Sequence, residues 1–267
     1  MAIDALGPQH GAGLGVDRTW GYIATFSSIL LFAVFSLVIR ISLPALNIKG
    51  DPWRWSNLFI SMIHALVCSV WNLSCFFLYP DQFVDRIDGG NAYMYFLITF
   101  ATGYFTYDVL DIIFNKKLQQ TWEVMVHHFA VLTVFWYNMH MMTCIPYSLI
   151  ALLTEVNTVF LHCRKLYQMS RCDLDHWTYR LLVTVNIVTF AVFRGIALGW
   201  ITYGLTDGEQ NVRISVVYYR CLWMSMMIMN VINPIFFWKL LKSDFLRKRN
   251  KTPVDKVISN GTNTKTN

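Results

Sequence analysis

Seven stretches of mainly apolar residues alternate along the chain with short polar gaps, at about 20–41, 55–79, 92–114, 122–142, 146–166, 178–204 and 214–241. A helix needs about 20 such residues to cross the hydrocarbon core of a bilayer. The pattern therefore predicts an all-α polytopic membrane protein of about seven transmembrane helices. Pro44, Pro52, Pro80 and Pro146 and the Gly89-Gly90 pair fall in or beside the gaps, where helix-breaking residues belong. No gap is long enough for a second folded domain. Residues 1–19 read as an N-terminal extracellular or lumenal segment, residues 20–245 as the transmembrane region, and residues 246–267 as a tail with too little apolar surface to order itself. The segment before the first apolar run lacks the basic start of a cleaved signal, so that run is read as a retained helix.

Composition strengthens this reading: 55% of the 267 residues are hydrophobic and 14% charged, with a mean hydropathy of +0.40. A net charge of +6 raises nucleic acid as a partner, but the basic residues lie mostly in the gaps and the tail. Seventeen of the 22 Lys and Arg residues, including Arg40, Lys117, Arg164, Lys165 and those from Lys239 onward, fall on one side of a seven-helix alternation. Positive-inside bias accounts for that split and predicts an outer N-terminus and a cytosolic C-terminus. No nucleic-acid partner is expected. The six cysteines form no CxxC or CxxH pair, so neither a zinc site, a disulfide framework nor any cofactor is predicted.

Polar residues inside the apolar runs carry the functional information, because each costs several kcal/mol when unpaired in lipid. Converted to depth by the helical rise, they sort into two levels. Asp108, His127 and His162 fall together roughly 7 Å from the cytosolic edge, with His128 adjoining. Glu155, Arg194 and Arg220 fall roughly 9 to 14 Å from the outer edge. Two successive histidines with an aspartate and a third histidine at one level are able to hold a general base or grip a lipid headgroup. The lipid-binding candidates are thus His127, His128, Asp108, His162 and, near the interface, Asp111. The catalytic candidates are His127, His128 and Glu155. Glu155 with Arg194 or Arg220 is read as a structural ion pair. His64 sits on a mostly apolar face and reads as a satisfied core residue, while Asn230 and Asn233 are expected to serve carbonyls freed by Pro234.

Four stretches in order, WRWSNLFISMIHA (53–65), GYFTYDVLDI (103–112), WEVMVHHFA (122–130) and LLTEVNTVFLHCRK (152–165), closed by LLKSDF (240–245), resemble the TLC-domain family. Within it they resemble the membrane-fluidity branch of TLC domain-containing proteins 1 and 2, distant relatives of the ceramide synthases. The resemblance covers residues 53–245. It implies six helices in a TLC-type barrel plus an N-terminal helix, and a partner that is a membrane phospholipid or acyl chain. It also implies a role in limiting the incorporation of polyunsaturated chains into phospholipids such as phosphatidylethanolamine. The implied residence is the plasma membrane, with the endoplasmic reticulum as the alternative. The ceramide synthases share the paired histidines, carried over to His127 and His128, and transfer an acyl group from acyl-CoA. Their next element is a His-Asp followed by a Ser-Asp, where this chain has Thr154-Glu155 and Asn157-Thr158. An acyl-CoA-dependent acyltransferase, directed at an amine or a lysophospholipid, is the alternative function.

Overall fold

In the computed structural model of the chain, residues 14–42, 48, 50–170, 172, 174, 176–206 and 213–245 are described. The expected tail, Pro44 and most of the N-terminal segment lie outside them. The described residues contain nine α-helices. These are α1 (Arg18–Ser42), α2 (Pro52–Leu78), α3 (Ala92–Phe114), α4 (Trp122–Met141), α5 (Ile145–Leu152), α6 (Thr154–Met169), α7 (Trp177–Thr189), α8 (Gly195–Leu205) and α9 (Val216–Phe245). Short 3-10 turns occupy Pro80–Phe83 and Leu118–Gln120, and a π turn, Phe190–Arg194, joins α7 to α8. No strand occurs among the described residues.

Six spans are long and apolar enough to cross a membrane: α1, α2, α3, α5 with α6, α7 with α8, and α9. The chain is therefore a multi-pass membrane protein. The other expected crossing, α4, forms as a 20-residue helix but is not among the six. Glu123, His127, His128, Asn138 and His140 dilute its apolar content. The 146–166 stretch is interrupted at Leu153 between α5 and α6, which places Glu155 in the first turn of a new helix.

Local chemistry sets the boundaries. Asp51 caps α2 by accepting from the Trp53 amide at 3.0 Å, with Pro52 in the first turn. Asn91 caps α3 by accepting from the Met94 amide at 3.0 Å, as short polar side chains do at helix starts. Just before it, Gly90 adopts φ +127°, a conformation open to glycine. Met142 ends α4 in the left-handed region, and the Cys144 amide donates to the Ile87 carbonyl at 2.7 Å, turning the chain into α5.

The described residues fall into two compact units, Met1–Asn233 and Pro234–Asn267, the second represented by the end of α9. Within the first unit α3 is the most enclosed span, two thirds of it being buried, with α1, α2, α4 and α5 packed on it. α1 meets it through Gly21, Thr25, Ser28, Phe32 and Ser36, one helical stripe of mostly small side chains. Small residues let backbones approach closely, which is how helices associate in lipid. Ser28 Oγ donates to the Phe100 carbonyl at 2.8 Å, and Thr25 Oγ1 to the Thr99 carbonyl at 3.3 Å. His64 is fully buried, stacked on Tyr104 with ring centroids 3.7 Å apart, and its Nε2 lies 3.1 Å from Cys68 Sγ. It is a core residue.

Outside the spans, Arg213 reaches from the start of α9 to the α2–α3 loop, donating to Asp85 at 2.7 and 2.8 Å and to Asp88 at 2.7 Å. The guanidinium beside it holds the Asp85 carboxyl below the ordinary carboxylate range, with the Ile87 and Asp88 amides adding to the effect.

Two outcomes follow from this packing. A Cβ on Gly103 would stand 2.5 Å from Ser28 Cβ and 2.6 Å from the Thr25 carbonyl, so Gly103→Ala is expected to push α1 off α3. The expected loss is about 1–3 kcal/mol, read as a lower thermal midpoint in detergent. The Asp85–Arg213 contact stabilises the fold at pH values above about 4, where the carboxyl is ionised even in the unfolded chain, and is lost as pH falls below that. The gap in thermal midpoint between wild type and Arg213→Gln should therefore be constant above about pH 5 and narrow in acid. A gap unchanged down to acid pH would refute the assignment.

Candidate functional site

Asp108, on the buried face of α3, joins three helices. Its Oδ1 accepts from Asn57 Nδ2 of α2 at 2.6 Å, and its Oδ2 lies 3.0 Å from His128 Nδ1 of α4. Asp108 is 2% exposed and His128 8%, so neither draws on water. The His128 contact is within ion-pairing distance but off the line of a hydrogen bond. Phe105, one turn before Asp108, packs against the His128 ring at 5.2 Å.

His127 points elsewhere, although its ring centroid is only 5.5 Å from that of His128. It lines a cavity of about 60 Å³ with Phe105, Phe135, Glu155, Arg194 and Met229 among the other walls. Its buried Nδ1 has no hydrogen-bond partner among the described residues. Side chains from α3, α4, α5, α6, α8 and α9 and from the π turn enclose this space, most of them apolar.

The π turn delivers Arg194 to that wall. Wide turns of this kind recur at functional sites because they reorient a side chain within a continuous helix. Arg194 is 6% exposed and donates from Nε to Asn157 Oδ1 at 2.9 Å, from Nη1 to Asn233 Oδ1 at 2.7 Å and from Nη2 to Thr158 Oγ1 at 3.1 Å. Asn157 is itself held by Asn186, to whose carbonyl and Oδ1 its Nδ2 donates at 3.0 Å. Glu155 lies beside Thr158 and within electrostatic reach of Arg194 and His128.

The expected site is thus partly assembled and partly divided. Asp108 and His128 meet; His162, with a buried Nδ1 lacking a hydrogen-bond partner, lies within electrostatic reach of both. His127 faces the cavity instead, in company with Glu155 and Arg194, which the depth estimate had placed on the other level. Asp111 belongs to a separate cluster: it accepts from Arg40 Nη2 of α1 at 2.6 Å and from Trp53 Nε1 of α2 at 2.9 Å. Beside it, Lys117 bonds Asp51 at 2.7 Å.

The expected ion pair needs correction. No direct pair joins Glu155 to Arg194 among the described residues, because Thr158 stands between them and three neutral oxygens occupy the guanidinium. Arg220 is exposed on α9 and takes no part. Asn233 Oδ1 serves Arg194, while its Nδ2 donates to the Met229 carbonyl at 2.9 Å; Asn230 is exposed, 3.4 Å from Thr202 Oγ1. Asn57, Trp53 and Arg40 were not foreseen as partners, since each lies in ordinary helix-end or interfacial sequence.

Chemically, the arrangement offers a carboxylate that orients an imidazole, and next to it a small apolar chamber with one cation, one anion and one imidazole in its wall. Among the described residues no three His, Cys, Asp or Glu side chains gather as metal ligands. Removing Asp108 would leave His128 and Asn57 facing each other without an acceptor. Asp108→Ala is expected to cost about 3 kcal/mol of stability, read in thermal unfolding, whereas His162→Ala should cost less than half as much. The reverse order would show that Asp108 is not the hub.

Comparison with known proteins places the chain in a family. The TLC domain profile matches residues 54–242. The chain is 32% identical to TLC domain-containing protein 2 of Danio rerio over 201 residues, covering 74% of this chain and 80% of that protein. It is 30% identical to TLC domain-containing protein 1 of Homo sapiens over 209 residues, covering 77% and 82%, and 30% identical to TLC domain-containing protein 1 of Gallus gallus over 212 residues, covering 78% and 81%. No solved structure matches. With the profile spanning α2 to α9 and the relatives covering most of the chain, this multi-pass membrane protein belongs to the TLC-domain family.

Proposed function

We propose that this protein binds an acyl chain of a membrane phospholipid in the cavity lined by His127, Glu155 and Arg194, and through it regulates phospholipid acyl composition and membrane fluidity. The observation that carries the reading is a chamber with mostly apolar walls and three ionisable side chains grouped in its lining. The space of about 60 Å³ admits only the start of one chain. Met226 and Met229 in its lining are unbranched and adaptable, so they are suited to yield to a longer one. The direction of the effect, limiting polyunsaturated chains in phosphatidylethanolamine, is what the resemblance to the TLC-domain branch implies. We place the protein in the plasma membrane, as the resemblance implies, and, counting α4 as a seventh crossing, with its N-terminus outside and its C-terminus cytosolic, as the distribution of Lys and Arg supports.

A second reading is favoured by one observation: His127 lines the same space as Glu155, and its buried Nδ1 lacks a hydrogen-bond partner among the described residues. It is an acyl-CoA-dependent acyltransferase with His127 as the base, His128 being already engaged with Asp108.

Expression in cells lacking the protein should lower the polyunsaturated share of phosphatidylethanolamine, measured by lipid mass spectrometry. Ala151→Phe, which fills the cavity from α5, should abolish that shift without loss of the protein from the membrane. A full shift with the cavity filled would refute the reading. Purified protein given acyl-CoA and lysophosphatidylethanolamine separates the two functions, since turnover lost in His127→Ala would establish the acyltransferase.

A further inference from the structure

Arg194 is a buried cation with no directly bonded anion among the described residues. Its guanidinium carries five N–H donors, of which three are spent on Asn157, Thr158 and Asn233. Two are not used by these acceptors; the guanidinium also lies over the Phe190 ring, 5.1 Å from its centroid, and the side chain lines the cavity. A buried cation is normally matched by a bonded anion, yet Glu155, in the same lining and within electrostatic reach, makes no direct bond to it. His127 is also in the lining, and its buried Nδ1 has no hydrogen-bond partner among the described residues. The lining therefore holds a guanidinium with N–H groups to spare and a carboxyl acceptor, and their formal charges cancel.

We infer that Arg194 and Glu155 recognise the head of a single-chain lipid that sets a carbonyl acceptor beside a hydroxyl donor. The carbonyl oxygen takes the free N–H groups of Arg194, the hydroxyl donates to Glu155, and the chain runs along Phe105, Phe135, Ile201 and Met229. A neutral head matches the charge balance of the wall, whereas a phosphate or carboxylate would leave a net charge in an apolar enclosure. This inference rests on the acyl-chain reading of the cavity and narrows its occupant to a free single-chain lipid, in place of a chain still attached to a phospholipid. An undissociated fatty acid and a monoacylglycerol ester both carry the required chemistry.

The test uses full-length protein in nanodiscs and three tritiated ligands of equal chain length: oleic acid, 1-oleoylglycerol and methyl oleate, which has the carbonyl but no donor. At least one of the first two should bind about tenfold or more tightly than methyl oleate, and the tighter of the two identifies the source. Equal binding of all three would overturn the inference and leave the cavity reading intact; binding by none would overturn both. In Glu155→Gln the Arg194 charge loses its counterpart, so at pH 8 the preference should swing toward oleate over 1-oleoylglycerol. An unchanged ratio in that variant would also overturn the assignment. The ligand comparison on wild type needs no variant to fold, and Arg194→Gln, checked by thermal midpoint, should erase the discrimination.

Discussion

Within a bilayer no water completes the bonding of a buried polar group, and the interior of this protein is arranged to meet that demand from its own side chains. Arg194 makes one of the heaviest demands. A guanidinium held among apolar walls would cost several kcal/mol without acceptors, and the chain supplies three from two other helices: Asn157 and Thr158 on α6, and Asn233 on α9. Asn157 in turn depends on Asn186 of α7, so one cation ties α6 to the α7–α8 span and to α9. The π turn at Phe190–Arg194 is what lets a continuous span present that side chain.

A second node, centred on Asp108, does the corresponding task for α2, α3 and α4. The two nodes approach each other at the paired histidines, one of which turns to Asp108 while the other opens on the cavity. Adjacent residues on a helix point about 100° apart, so a histidine pair is a natural junction between two environments. In this geometry the pair is better described as a boundary than as a single bidentate device.

Much of this was legible in the chain. Apolar runs and their punctuating prolines located the helices to within a few residues, because span length and helix breaking are properties of local sequence. The interest of Asp108, His127, His128, Glu155 and Arg194 was equally visible, since ionisable residues are rare in spans. What depth arithmetic could not supply was rotation. It placed Glu155 and Arg194 apart from His127, although the break at Leu153 and the π turn bring all three to one chamber. Asp111, grouped with the histidines as a lipid-binding candidate although nearer the interface, turns instead toward Arg40 and Trp53. Asn57, whose side-chain amide donates to Asp108, escaped notice because nothing in its local context distinguishes it from an ordinary helix residue.

Asp111 also bears on where the functional unit begins. The TLC domain profile starts at residue 54, but two of the groups that satisfy this buried carboxylate, Arg40 and the indole of Trp53, precede that point. Cut at the family boundary, the remaining helices would retain an anion stripped of its cation and an α3 surface, shaped around Gly103, left bare to lipid. The leading helix is thus an integral wall of the assembly, and the conserved-domain boundary does not coincide with the physical one.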